Sequence, residues 1–163
     1  MAARFAGVVV VCLLSASSGF AAELISQKDG LVRLHDANLQ RISWGELAQQ
    51  RSSNEAVKRL GERLAKVDAE LDRAVLEYAK ANGIVLPEKP AAQPPLGRLE
   101  GASFDTFFLS RVAASNKQLI SFLLVAEQQH EDPTFRRLLN KALSTYRDDQ
   151  RELERVYEEL PQG

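Results

Sequence analysis

The stretch that decides the fold is GIVLPEKPAAQPPLGRLEGA, residues 83–102. It cannot continue a helix, because prolines lacking the backbone N–H recur at positions 87, 90, 94 and 95. Proline-rich chain favours the extended polyproline geometry, in which about 18 residues reach roughly 50 Å. A helix of about 28 residues is roughly 42 Å long. The segment can therefore run the whole length of a helical bundle.

On both sides of this segment the sequence predicts helices. Apolar residues recur with the helical period, and no persistent alternation indicates a strand. Four helices are predicted, at residues 28–50, 52–82, 103–130 and 133–160. Ser52 and Glu55 have the spacing of a capping box at the start of the second helix. Gly83 suits a left-handed C-terminal turn, and Asp132 followed by Pro133 is typical of a helix start.

The lengths of the connections predict the topology. Short turns join the first helix to the second and the third to the fourth, so each pair is expected to form an antiparallel hairpin. The long proline-rich crossover lets the third helix begin beside the start of the second. The predicted fold is therefore all-α, a ferritin-like four-helix bundle. The alternative is a loose linker between two independent hairpins, each of which would expose its apolar stripe.

The N-terminal residues differ from the rest and predict export. Arg4 is the only charge before Glu23, an apolar run covers residues 5–14, and small residues follow up to Ala22. This pattern is typical of a secretory signal peptide over residues 1–21, cleaved after Ala21. The alternative is a membrane anchor, but the apolar run is too short to cross about 30 Å of hydrocarbon. Residues 22–163 would then form one bundle domain, periplasmic or secreted and without stable membrane insertion.

Charge and cysteine usage exclude several classes of protein. The formal net charge is −1 and the basic residues are spread along the chain, which argues against a nucleic-acid partner. Cys12 is the only cysteine, and Val11 before it is not small, so lipidation is not expected. After cleavage the chain would contain no cysteine and could form no disulfide.

Polar residues interrupt the apolar faces of the predicted helices. Asp68, Asn116 and Asp149 each stand in the middle of a stripe, while Arg41 stands at the edge of the stripe of the first helix. An unpaired buried carboxylate is very costly, so one hypothesis is a core polar network of these four residues. Two alternatives remain open: the side chains reach water at the stripe edges, or Asp68 and Asp149 belong to a metal site.

The chain resembles a bacterial family, the domain of unknown function 4142, over nearly the whole of residues 22–163. The resemblance is carried by short sequence pieces in a fixed order, which are residues 45–48 with 54–58, 83–87, 101–105 and 132–133. It implies an exported, ferritin-like bundle. It also implies a glutamate at position 41 and histidines at positions 68, 116 and 149, which are regarded as metal ligands by analogy with ferritin-like carboxylate proteins.

This sequence departs from the family at all four of these positions. Its histidines, His35 and His130, stand elsewhere. His130 would close the third helix, where the helix dipole favours positive charge, and His35 is expected on the surface or in a groove. A fixed arginine charge opposes cation binding and neutralises aspartates. We therefore expect an Arg–Asp network in place of the cation site, with no cofactor.

Function follows only coarsely from these patterns. With no nucleophile–base motif in the sequence, we expect a non-enzymatic envelope protein, an interaction or stress-related module whose candidate partner is another envelope protein. Trp44 and Leu39 lie off the main stripe, so they either pack against the crossover or form a partner patch.

The alternative is a ferritin-like metal-binding protein or oxidase with oxygen ligands alone. Its candidate ligands are Asp68, Asp105, Asp149 and Glu46. The absence of the Glu-x-x-His motif used by di-iron bundles argues against it.

Overall fold

The computed structural model describes residues 24–88 and 98–160, and the predicted signal peptide lies outside these residues. Four helices, with no strand among the described residues, make up the fold. They are α1 (Gln27–Arg51), α2 (Glu55–Ala81), α3 (Gly101–Gln129) and α4 (Pro133–Glu159). The prediction of an all-α four-helix bundle is confirmed. None of the described helices is both long and apolar enough to cross a membrane.

The start of α2 differs from the predicted capping box. Asn54 is the N-cap, and its side-chain oxygen accepts hydrogen bonds from the backbone N–H groups of Ala56 and Val57. Ser52 instead ends α1, and its hydroxyl oxygen accepts from the Asn54 backbone N–H at 3.0 Å. Two residues with good capping side chains compete here, and the one directly before Glu55 caps the helix because it reaches the unpaired N–H groups.

The other helix ends lie close to their predicted positions. Gly83 has a φ of 65° and follows α2 in the left-handed conformation. Asp132 caps α4 by accepting from the Thr134 backbone N–H at 2.9 Å, with Pro133 at the first helical position. The helix α3 begins two residues before the predicted Ser103, at Gly101, whose φ is 56°.

The two hairpins pack against each other into one bundle. The helix α1 packs on α2 and α3, while α4 packs on α3 and α2, so the alternative of two independent hairpins is wrong. The start of α3 lies beside the start of α2, since a Cβ placed on Gly101 would be 3.9 Å from Ser53 Oγ. The helices α2 and α3 are thus parallel, so the end of α2 and the start of α3 lie at opposite ends of the bundle.

The core consists of two apolar clusters with a polar layer between them. The upper cluster lies near the start of α1 and includes Leu31, Val75, Leu123 and Phe135. The lower cluster lies near the end of α1, and its buried residues are Trp44, Ala48, Ala56, Val57, Leu60, Leu64, Phe104, Phe108, Leu109, Val112, Leu153 and Val156. The polar layer holds the residues that interrupt the predicted stripes.

The buried face of α1 is wider than a single helical stripe. Trp44 is 3% exposed and belongs to the lower cluster, so the alternative in which it forms an exposed partner patch is wrong. Arg41 is fully buried and central to the face, while Ile42 is only half-buried, as is Leu39. The face is broad because α1 contacts two helices, and a single stripe does not describe it.

The helices α1 and α2 touch backbone to backbone at a pair of glycines. A Cβ on Gly45 would overlap the carbonyl oxygen of Gly61, and a Cβ on Gly61 would lie 2.6 Å from Ala48 Cβ. Side chains at these positions would force the helices apart. This contact positions Arg41, one turn before Gly45, close to α2.

Candidate functional site

The guanidinium of Arg41 lies at the centre of the bundle and bonds to the three other helices. Its Nε donates to Asp68 Oδ2 at 2.8 Å, Nη1 to Asn116 Oδ1 at 2.6 Å and Nη2 to Asp149 Oδ2 at 2.6 Å. The structure thus brings together the four residues proposed from the sequence. All four are 0% exposed, so the alternative in which they reach water at the stripe edges is wrong.

Three further residues, not assigned to the site from the sequence, complete this network. The Tyr146 hydroxyl donates to Asn38 Oδ1 at 2.6 Å, and the Tyr146 ring centroid lies 4.9 Å from Arg41 Cζ. Arg63 donates from Nε to Asp149 Oδ1 at 3.3 Å from a side chain that is 40% exposed. Asn38 and Tyr146 could have been found, because they share the buried stripes of α1 and α4. Arg63 leaves no such signal, since it reaches inward from outside the stripe.

Burial and pairing compete to set the charge of the network. Burial raises the pKa of Asp68 to about 7, against the opposing attraction of Arg41. Burial likewise raises the pKa of Asp149, although Arg41 and Arg63 both oppose this shift. Burial disfavours the charge on Arg41, but the two aspartates outweigh it and raise the pKa of Arg41. The guanidinium therefore stays protonated, while the pKa values of both aspartates lie above the usual range for a carboxyl group, that of Asp68 at about 7.

Some polar atoms of this layer have no hydrogen-bond partner among the described residues. They are Asp68 Oδ1 and the amide nitrogens of Asn38 and Asn116. Buried polar atoms that lack a protein partner are commonly satisfied by ordered water in protein cores.

The residues at the centre do not fit a metal ion. The guanidinium already stands between Asp68 and Asp149 and takes one oxygen from each, and its fixed charge would repel a cation placed beside it. The oxygen-ligand set of the alternative hypothesis is not brought together. Glu46 is exposed, and Asp105 lies three turns from Asn116 along α3. In the described part of the chain, no three His, Cys, Asp or Glu side chains are grouped so that they could hold a metal.

A second polar contact involves His35, which was expected on the surface or in a groove. It is 5% exposed, its Nδ1 lies 2.7 Å from Asp72 Oδ1 and its Nε2 lies 3.0 Å from the Pro87 carbonyl oxygen. Both partners are acceptors, so both bonds form together only when the imidazole is doubly protonated. His35 therefore ties the beginning of the crossover to α1 and α2. His130 ends α3 as predicted. Its ring meets the Phe135 ring edge-on, with 4.7 Å between the two ring centroids.

Comparisons with known proteins give a family and a fold. The sequence matches the family described as "Domain of unknown function (DUF4142)" over residues 15–156. No curated protein matches it significantly. The structure resembles the crystal structure described as "putative secreted protein DUF305" from Streptomyces coelicolor, with a TM-score of 0.70 and 15% sequence identity. The similarity covers 82% of this chain and 92% of that chain, and at this identity it establishes the shared fold alone.

Proposed function

The chain belongs to the domain of unknown function 4142 family, and from this premise we propose that it is an exported, non-enzymatic helical-bundle protein of the cell envelope. Its central site is a degenerate metal site in which a protein cation has taken the place of a metal ion. It would act through its outer surfaces on another envelope component. The observation that carries this proposal is the position of Arg41 at the bundle centre, bonded to Asp68, Asn116 and Asp149.

The non-enzymatic assignment rests on the chemistry of that centre. The family resemblance places candidate metal ligands at positions 41, 68, 116 and 149, and here the side chain at position 41 hydrogen-bonds to each of the other three. A fully buried ion pair of this kind has no exposed reactive atom. It is suited to holding four helices in one arrangement. A guanidinium forms strong, directional hydrogen bonds with carboxylates.

Export is supported by the N-terminal sequence pattern, with its single basic residue, apolar run and small residues ending at Ala22. The protein of similar fold from Streptomyces coelicolor is itself described as a putative secreted protein. A bundle with no cysteine after residue 12 needs no disulfide to fold outside the cytoplasm.

Export is tested by expressing the full chain and a variant lacking residues 2–21 in a Gram-negative host. We expect the full chain to yield, in the periplasmic or extracellular fraction, a product whose mass spectrum places its N-terminus at Ala22. The truncated variant should remain in the cytoplasm. Recovery of the uncleaved full chain in the membrane fraction would replace this proposal with the anchor alternative.

The metal-free centre is tested by elemental analysis of protein purified from medium supplemented with iron, manganese and zinc. We expect no stoichiometric metal in the wild type. A variant restoring the family residues, Arg41→Glu with Asp68→His, Asn116→His and Asp149→His, is expected to retain metal and to be stabilised by it. One equivalent of a transition metal in the wild type would contradict the proposal.

A further inference from the structure

An open groove of about 620 Å³ lies along the seam between α1 and α3. It is distinct from the central network, which is fully buried. Among the side chains that line it are Ile25, Arg33, Lys117, Phe122 and Val125. Nothing in the proposed function uses this surface.

The packing of α1 explains why the seam is open. The contact between Gly45 and Gly61 brings α1 against α2, and α1 packs far more closely on α2 than on α3. On the α3 side, Ala114 and Ser121 line the groove, and their short side chains do not reach across it. The gap is thus built into the backbone arrangement.

One wall of the groove is apolar and partly exposed. Ile25 and Phe122 are half-buried, and Val125 is 46% exposed. Single exposed apolar residues are ordinary, but a run of them along one groove is typical of a binding surface.

The same groove contains two cations. The Arg33 guanidinium lies 4.3 Å from the centroid of the Phe122 ring, and Lys117 lines the groove from α3. Within residues 24–88 and 98–160, neither side chain lies within salt-bridge distance of a carboxylate. No acidic residue lines the main groove. Asp29, in a smaller pocket at one end, already accepts from the Ser26 hydroxyl, and Asp36 lines another pocket adjoining Arg33.

We propose that the α1–α3 groove binds a single-chain amphiphile with an anionic head group, of the long-chain carboxylate class. Its head group would lie at Arg33 and Lys117, where charge-assisted hydrogen bonds to a carboxylate can form. Its acyl chain would cover Ile25, Phe122 and Val125. An uncharged apolar ligand would leave the two cations partly desolvated and without a partner, and a fully polar anion would leave the apolar wall exposed to water.

The proposal is tested by calorimetric titration of the purified protein with sodium laurate below its micellar concentration. We expect saturable binding of one molecule per chain, and no saturable binding of dodecyltrimethylammonium, which has the same chain and the opposite charge. Arg33→Gln with Lys117→Gln should weaken laurate binding roughly tenfold or more. Val125→Ser should weaken it several-fold through the wall alone.

The matched control is Arg137→Gln with Lys141→Gln, which makes the same charge change on the exposed face of α4 and should leave laurate binding unchanged. Equal weakening by the control pair would show a non-specific charge effect and overturn the proposal. So would equal binding of the cationic amphiphile. Co-sedimentation with anionic phospholipid vesicles, without binding of monomeric laurate, would assign the groove to a membrane surface and overturn it as well.

Discussion

At the scale of single residues, the central network stabilises the fold only when all of its charged members are present. Arg41, Asp68 and Asp149 are each fully removed from water, and desolvating an ion costs several kcal/mol unless a partner in good geometry offsets it. The three donor nitrogens of Arg41 each have an acceptor. Removing the guanidinium leaves two carboxylates without their common partner, so loss of one residue should cost more than loss of the whole set.

Arg41→Met is expected to lower the free energy of unfolding by about 3–5 kcal/mol, because it leaves Asp68 buried without a cation and Asp149 paired with Arg63 alone. Urea unfolding measures the change. Arg63→Met, which removes a 40% exposed partner of Asp149, is the control and should cost less than about 1 kcal/mol. A further variant, Arg41→Met with Asp68→Leu and Asp149→Leu, should recover much of the loss. An Arg41→Met protein as stable as the wild type would contradict the energetic account.

The raised pKa of Asp68, about 7, predicts how stability changes with pH. In the unfolded chain this carboxyl loses its proton near pH 4, whereas in the folded protein it keeps the proton until about pH 7. Between these values the folded state binds more protons, so its stability falls as pH rises. Relative to Asp68→Asn, wild-type stability should drop by on the order of 1 kcal/mol per pH unit from pH 5 to 7.

Urea unfolding at pH 5, 6 and 7 measures this slope. Glu131→Gln is the control, because it removes an exposed carboxylate that lies outside the central network, and it should leave the wild-type slope in place. A wild-type slope identical to that of Asp68→Asn would show that Asp68 does not titrate in this range.

Sequence periodicity predicted the central residues but not all of their surroundings. Asp68, Asn116 and Asp149 could be identified because helical spacing fixes which positions face inward. The contacts of Arg63 and His35 could not be identified from the sequence, because they depend on the distance between helices and on the path of the crossover. Long side chains that reach inward from a helix flank leave no periodic signal.

At the scale of elements, the approach of α1 to α2 depends on a single pair of glycines. Gly45→Ala would place a methyl group against the Gly61 carbonyl oxygen and within 2.9 Å of the Ala65 backbone nitrogen. Neither neighbour is a side-chain end that could rotate away. We expect a loss of roughly 2 kcal/mol or more from this overpacking, larger than the helix-propensity gain of about 1 kcal/mol.

Gly30→Ala is the control for this prediction, because its Cβ would meet only the end of the Phe135 ring, at 3.2 Å. It should be close to neutral in the same urea measurement. If Gly45→Ala were also neutral, α1 and α2 would have to be further apart than the structure shows. The sequence could not indicate that Gly61 lies opposite Gly45, because that depends on the register between two helices.

At the scale of the whole molecule, the prolines predicted the crossover, and His35 binds its first residues to the bundle. The ring of His35 contacts both Asp72 on α2 and the Pro87 carbonyl oxygen. The residues at one end of the crossover are thereby tied to the upper half of the bundle. The presence of a long connection was predictable from composition, whereas its anchoring point was not, since that contact joins residues 52 positions apart.

His35→Gln is expected to speed amide hydrogen exchange at Ile84, whose N–H donates to the Ala79 carbonyl oxygen at 2.9 Å, because the substitution loosens the start of the crossover. Exchange in the centres of the four helices should change little. His130→Gln, which alters the other histidine, is the control and should leave Ile84 unaffected. Exchange that rises equally throughout the bundle would instead indicate a general loss of stability.

The guanidinium at the centre also fixes how far each helix can slide along its neighbours. A slip of one turn, about 5.4 Å, would bring Val112 or Leu119 to the place of Asn116, and Tyr146 or Leu153 to the place of Asp149. None of these side chains can match the carboxylate or amide that it would displace as an acceptor. Apolar helices often tolerate such sliding, but here each misaligned state would leave a donor of the buried Arg41 guanidinium without its acceptor. The bundle therefore has a single longitudinal alignment, set by one planar group with three fixed donor directions.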